Sequence, residues 1–179
     1  MFDGLRRKVG LSYSHIHFRK SNDKMINFTG ALTRSRRALV IFPEIPPDGE
    51  SILTLFKYLI RKFSSEGIMV LIRDDQLYSM ATTPPLRTLT YTSDDINTWF
   101  LPRRRLLQRI TANTYDVALD LNIGLSLTGA FLCRASNAPL RVSFAKQNGD
   151  RFYNLLYQSK TTTGITHIYK NFLNCLDMF

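Results

Sequence analysis

Two kinds of apolar pattern alternate along the chain from residue 38 onward. The first is the short unbroken run. Residues 38–42 ("ALVIF"), 68–72 ("IMVLI") and the middle of "TYDVALDLNIG" (114–124) carry no polar residue on either face, as expected of central strands covered on both sides. The second is the run at helical spacing. Ile52, Leu55, Phe56, Leu59, Ile60 and Phe63 recur every three or four residues and predict an amphipathic helix, with Asp48 and Glu50 near its positive start and Gly67 as a stop.

A strand, a helix and a strand within about 35 residues make a βαβ unit, which implies parallel pairing. The alternation continues. A more exposed strand is predicted over 87–92 and a helix over 101–113, opened by Pro102. After strand four comes an apolar helix over 124–137, then strands over 139–145 and 152–158. A closing helix carries Ile165, Ile168, Tyr169, Phe172, Leu173 and Leu176 on one side. The predicted fold is α/β: a three-layer, Rossmann-like open sheet, mostly parallel, of five to six strands with helices on both faces.

Residues 1–37 are different. They show no sustained period, and they hold nine Lys/Arg against two Asp, whereas the rest of the chain holds 15 against 12. The net charge of +10 is therefore concentrated in a basic N-terminal arm, 1–37, ahead of a single Rossmann-like domain, 38–179. Phe2, Leu5 and Val9 with Arg6, Arg7 and Lys8 between them form a basic amphipathic turn too short to stand alone. His15 and His17 alternate like residues on one strand face and are expected to be solvated. Arg6, Arg7, Lys8, Arg34, Arg36 and Arg37 are the candidate anion contacts of the arm, to nucleic acid or an anionic membrane surface. Tyr13 and Phe18 are the arm aromatics suited to stacking on bases.

Composition otherwise sets limits. No apolar stretch approaches the roughly 20 residues of a membrane span, and no apolar region follows the basic start as in a secretory signal. Cys133 and Cys175 lie in apolar contexts without close metal-ligand partners, so two buried, reduced thiols and a cytoplasmic location are expected.

In a parallel sheet, ligands bind beyond the carboxyl ends of the strands where strand order reverses. The loops to examine are 43–50, 73–80, 121–126 and 145–150. The first reads "PEIPPDGES", with neither a dinucleotide fingerprint nor a phosphate loop, and no nucleophile elbow occurs anywhere. His167 is expected to be half-buried on the closing helix. The acid pairs in "RDD" (73–75) and "SDD" (93–95) are expected to be solvated loop residues. Arg103, Arg104 and Arg105 open a helix against its dipole, a cost that a bound anion offsets. Asp116 and Asp120 stand four apart on a strand, about 13 Å along it, beyond the roughly 5–9.5 Å of a working carboxylate pair. They are not expected to form a catalytic dyad; loop hydrogen bonding is the expected role of Asp120, with ligand contact as the alternative. The candidate ligand contacts are Asp48, Gly49, Glu50, Arg103, Arg104, Arg105, Asp120 and Asn122. No catalytic residue, cofactor or metal ligand is predicted.

The stretch from "TYDVALDL" to "APLRVSFA" resembles a strand–helix–strand of the heptosyltransferase-like (GT-B) glycosyltransferases, at Tyr115, Asp116, Asp120, Leu121, Ala138, Pro139 and Arg141. Residues 38–63 resemble that family's first strand and helix. There the family's Gly-Asp pair, whose acid is associated with acceptor chemistry, stands as Gly49-Glu50. The chain is also similar to an uncharacterised family of short single-domain bacterial proteins, at Trp99, Phe100, Pro102, Ala135-Ser136-Asn137-Ala138 and residues 165–179. These resemblances imply the N-terminal, acceptor half of a glycosyltransferase, without the half that mainly holds the nucleotide sugar. The function expected is accordingly a non-catalytic binding or interaction domain. Two alternatives stand beside it: a sugar- or nucleotide-binding half of a split glycosyltransferase, and attachment to nucleic acid or an anionic membrane through the arm. A protein partner is also left open.

Overall fold

The computed structural model describes residues 2–19, 27, 30–81, 83–159 and 164–178. Six strands, β1 (Ala38–Ile41), β2 (Ile68–Arg73), β3 (Arg87–Tyr91), β4 (Val117–Asp120), β5 (Leu140–Phe144) and β6 (Leu155–Tyr157), form one sheet in the order β3-β2-β1-β4-β5-β6. Every pairing is parallel. The helices are α1 (Asp3–Phe18), α2 (Ala31–Arg34), α3 (Gly49–Phe63), α4 (Arg104–Thr111), α5 (Leu127–Ala135) and α6 (Ile165–Leu176).

The sheet is covered on both faces, because alternate residues of the central strands point to opposite cores. Ala38, Val40 and Phe42 join Val117, Leu119 and Val142 against α3 and α6. Leu39, Ile41 and Ala118 face the other way, against α4 and α5. All four residues of β1 and of β4 are buried, which is why these stretches read as unbroken apolar runs. At the edge, β3 is exposed at Arg87 and Thr88.

Local chemistry sets the ends of the elements. Asp48 caps α3 by accepting from the Ser51 amide at 2.9 Å, and Ser126 caps α5 by accepting from the Gly129 amide at 3.1 Å. Gly67 turns the chain from α3 into β2 where a Cβ would fall 2.1 Å from the Phe63 carbonyl oxygen.

The N-terminal segment departs from the sequence reading. Residues 3–18 form a helix of 16 residues, so His15 and His17 are helical rather than strand neighbours. Helix α1 lies on α5 through Gly10, Ser14, Leu11 and Phe18. Phe18 packs on Phe131 at 4.8 Å between ring centres. Two smaller expectations also change: His167 is exposed, and Cys175 is only partly buried while Cys133 is buried. No helix among the described residues is long and apolar enough to cross a membrane.

Candidate functional site

Strand order reverses between β1 and β4, whose carboxyl ends part to opposite sides and open a crevice. Ile41, the last residue of β1, is in register with Asp120, the last of β4. What lies beyond them is held by an internal polar network.

Asp120 has no exposed surface. Its Oδ1 accepts from the Asn122 side-chain amide at 2.7 Å and from the Asn122 backbone amide at 3.0 Å. Its Oδ2 accepts from the Tyr153 hydroxyl and faces the Lys146 ammonium at 3.5 Å. Lys146, almost wholly buried, also donates to the carbonyls of Asn122 at 2.5 Å and Gly124 at 3.2 Å. The carboxylate thus ties β4 to the loops after β4 and β5, and its four acceptor positions are all in use. Burial first, and then the Asp120 charge, push the Tyr153 hydroxyl well above its usual pKa, so it stays a donor.

Asn122 carries the network outward. Its Oδ1 accepts from the Glu44 amide at 2.8 Å. The Glu44 carbonyl accepts from Gln76 at 2.6 Å, and its carboxylate accepts from the Ser126 hydroxyl at 2.6 Å. Glu44 is therefore fixed by three hydrogen bonds, from the loop after β4 and the segment after β2, while remaining exposed, and it stands on the wall shared by two clefts.

The larger cleft, of about 660 Å³, is lined by Arg7, Glu44, Arg73, Asp74, Asp75 and Phe100, together with Tyr91, Thr92, Ser93 and Asn97. Arg73 pairs with Asp75 at 2.6 Å, which lowers the Asp75 pKa. Burial and then the Glu44 charge raise the Tyr91 pKa to about 12. The Arg7 guanidinium lies 5.0 Å from the centre of the Phe100 ring. Phe100 has φ of 60°, a left-handed conformation costly for a bulky residue. It is held there by hydrogen bonds to Asn97 and Thr128. The smaller cleft, of about 460 Å³, shares Arg7 and Glu44 but is otherwise mainly apolar, with Ile45, Ile123, Leu125, Ile165 and Ile168.

Of the predicted ligand contacts, Asn122 lines the smaller cleft, and Asp120 lies beneath it. Asp48 is engaged in capping α3 and accepts from Thr166 at 2.8 Å; these bonds, that to the Ser51 amide foremost, hold its pKa near 2. Gly49 and Glu50 form the first turn of α3, and Glu50 lines a separate recess beside Thr166 and Lys170. Arg103 and the first turn of α4, Arg104 and Arg105, are exposed and stand outside the lining of both clefts.

The basic residues of the arm are divided. Arg7 reaches the crevice. Arg36 and Arg37 sit at the opposite end of the sheet, their backbone amides donating to Asp116 Oδ2 at 2.8 Å each. Arg6 pairs with Asp3 at 3.5 Å, and Lys8 is exposed. Arg34 is the last residue of α2. Asp116 and Asp120 lie at opposite ends of β4 with separate partners. Among the acid pairs, Asp95 is taken up by the turn at Thr92, whose amide it accepts at 3.0 Å. Arg141 ties β5 to its surroundings, donating to the carbonyls of Phe152 and Ala138 at 2.9 and 2.8 Å. Among the described residues no cluster of three or more His, Cys, Asp or Glu is placed to hold a metal ion.

Glu44, Arg73, Lys146 and Tyr153 escaped the sequence reading as site residues. Glu44 and Lys146 stand in loops predicted to flank the crevice, directly after the apolar runs of β1 and β5. Position was a usable signal for them, and nothing in the sequence marks Tyr153.

The fold is similar to that of the glycosyl transferase family 9 protein from Veillonella parvula DSM 2008. The TM-score is 0.60 at 17% sequence identity, covering 88% of this chain and 44% of that one. The likeness is one of fold. It agrees with the α/β, Rossmann-like architecture and with the resemblance to half of a glycosyltransferase. The chain spans less than half the length of that glycosyl transferase. No family model and no curated protein matches the sequence.

Proposed function

We propose that the chain is a sugar-binding domain built like half of a glycosyltransferase, taking a hydroxyl-rich ligand into the cleft beside Glu44 without carrying out transfer by itself. The observation that carries this is the composition of that cleft. Three carboxylates, two guanidiniums and two aromatic rings line about 660 Å³, within the usual range for small-molecule sites. Carboxylates accept from sugar hydroxyls, guanidiniums donate to them, and a ring face covers the apolar side of a pyranose. Three acids against two bases give no excess of positive charge for a diphosphate, which favours a sugar over a nucleotide. The fixed Glu44 carboxylate is preorganised for such a contact.

The test is a thermal-shift and calorimetric screen of monosaccharides, sugar phosphates and nucleotide sugars, on the native protein and on Glu44→Gln. Ligand at about 100 times its dissociation constant stabilises by about 2.7 kcal/mol, several degrees for a chain of this length. Sugars are expected to shift the native protein and to lose affinity with Glu44→Gln. A response to nucleotides alone, or sugar binding unchanged by Glu44→Gln, overturns the reading.

The 44% coverage of the family 9 protein favours a second reading, in which another polypeptide or segment supplies the donor-binding half. Recovery of such a polypeptide with the native protein, and transferase activity only in its presence, is the corresponding test.

A further inference from the structure

The face of α1 turned away from the protein is apolar. Phe2 just before α1, and Leu5, Val9, Tyr13 and Ile16 within it, are 72, 62, 39, 53 and 72% exposed. At roughly 100° per residue they fall within an arc of about 80°, forming one stripe along the helix. The opposite face is fixed. A Cβ on Gly10 would lie 2.2 Å from the Trp99 carbonyl oxygen, Ser14 is fully buried, and Phe18 packs against Phe131. Turning the stripe inward would require breaking these contacts. Such a continuous exposed apolar face marks an interaction surface.

The flanks of the stripe carry charge. Arg6 borders one side; Lys8 and Arg19 border the other, and all three are exposed. We propose that α1 lies flat on an anionic lipid bilayer, with Phe2, Leu5, Val9, Tyr13 and Ile16 entering the headgroup–acyl boundary and Arg6, Lys8 and Arg19 contacting lipid phosphates. A narrow apolar stripe bordered by cations is the pattern of helices that rest in the membrane interface. A nucleic acid would meet the cations but offers a sugar–phosphate backbone to the apolar stripe between them. A second copy packed about a two-fold axis would bring the same basic flanks together. Arg7, from the docked side of this helix, lines both clefts, so the membrane-bound helix would be one wall of the crevice.

The experiment is vesicle flotation of the full chain, with phosphatidylcholine alone and with about one-third phosphatidylglycerol. Binding is expected only to the anionic vesicles. Val9→Glu/Ile16→Glu, at exposed positions, is expected to keep the native melting temperature and to lose more than about tenfold in binding. Reversal of Arg6, Lys8 and Arg19 to Glu is expected to lose at least about fivefold per charge. Three outcomes overturn the proposal. One is no flotation with anionic vesicles, and another is undiminished flotation of Val9→Glu/Ile16→Glu. The third is a native dimer in light scattering that Val9→Glu/Ile16→Glu converts to monomer, which assigns the stripe to a second copy.

Discussion

The Tyr153 hydroxyl donates a hydrogen bond to Asp120 inside the protein, joining the approach to β6 to the end of β4, with Lys146 as the counter-charge at 3.5 Å. A fully buried carboxylate is tolerated only when charge and lone pairs are satisfied. Tyr153→Phe removes one donor and is expected to cost about 1–3 kcal/mol. Asp120→Asn strands the buried Lys146 charge and is expected to cost about 3–5 kcal/mol. The double variant Asp120→Asn/Lys146→Met removes both charges, so its loss should fall short of the sum of the single losses. Urea denaturation of these three variants and of Lys146→Met alone measures this. Additive losses would mean that the two charges do not act as a pair.

Phe100 should reverse the usual ranking of glycine and alanine. With φ of 60°, any side chain there meets its own backbone, whereas glycine does not. Phe100→Gly is expected to be about 1 kcal/mol more stable than Phe100→Ala, because the two variants lose the same ring and differ only in the Cβ. Both should lose sugar affinity if the ring covers the ligand. Equal stability, or alanine ahead, would show that the left-handed conformation carries no strain.

Gly4 and Gly10 lie on the same helix and should respond oppositely to alanine. At Gly4 nothing stands within 4 Å of an added Cβ, so Gly4→Ala is expected to gain about 0.5–1 kcal/mol from helix propensity. At Gly10 the Cβ would meet the Trp99 carbonyl at 2.2 Å and Leu127 at 2.7 Å. Gly10→Ala is therefore expected to cost about 1–3 kcal/mol by overpacking. Thermal melts of the pair decide it. A stabilised Gly10→Ala would mean that α1 does not rest on α5 at this point.

These glycines also show why part of the fold was legible in the sequence and part was not. The period of Ile52, Leu55, Phe56, Leu59 and Phe63 predicts α3 because the face that packs is the apolar one. In α1 the rule is inverted: Gly10 and Ser14 permit close approach, while Phe2, Leu5 and Val9 face outward. A search for an apolar docking face therefore sees only a short amphipathic turn. The crevice was legible as a position, beyond the apolar runs, but its groups were not. Glu44 is held by Asn122 and Ser126, which are 78 and 82 residues away in sequence. Asp48 and Glu50, beside the helix start, are the more conspicuous charges in the sequence. Asp48 turns out to be committed to its cap, a role that the short reach to Ser51 could have indicated.

The tyrosines set the alkaline limit of stability. Burial, the leading cause in each case, raises the pKa of Tyr58, Tyr91, Tyr115, Tyr153 and Tyr169 above the usual 10.0, Tyr91 to about 12. In the unfolded chain each would lose its proton near pH 10, while the folded protein retains it. The unfolded state therefore binds fewer protons above pH 10, and stability must fall as pH rises through that point. Above pH 10 each tyrosine adds a downward slope of up to about 1.4 kcal/mol per pH unit, so its stabilising contribution is present in full below about pH 10 and lost progressively above it. Asp48 acts at the other end. Its pKa is held near 2 against a usual 3.8, so its contribution is present above about pH 4 and declines as the pH falls towards 2. Urea titrations from pH 8 to about 11 should show a steep alkaline decline, shallower in Tyr153→Phe once its neutral-pH loss is subtracted. Stability that stays level to about pH 11 would show that the buried hydroxyls are not held protonated by the fold.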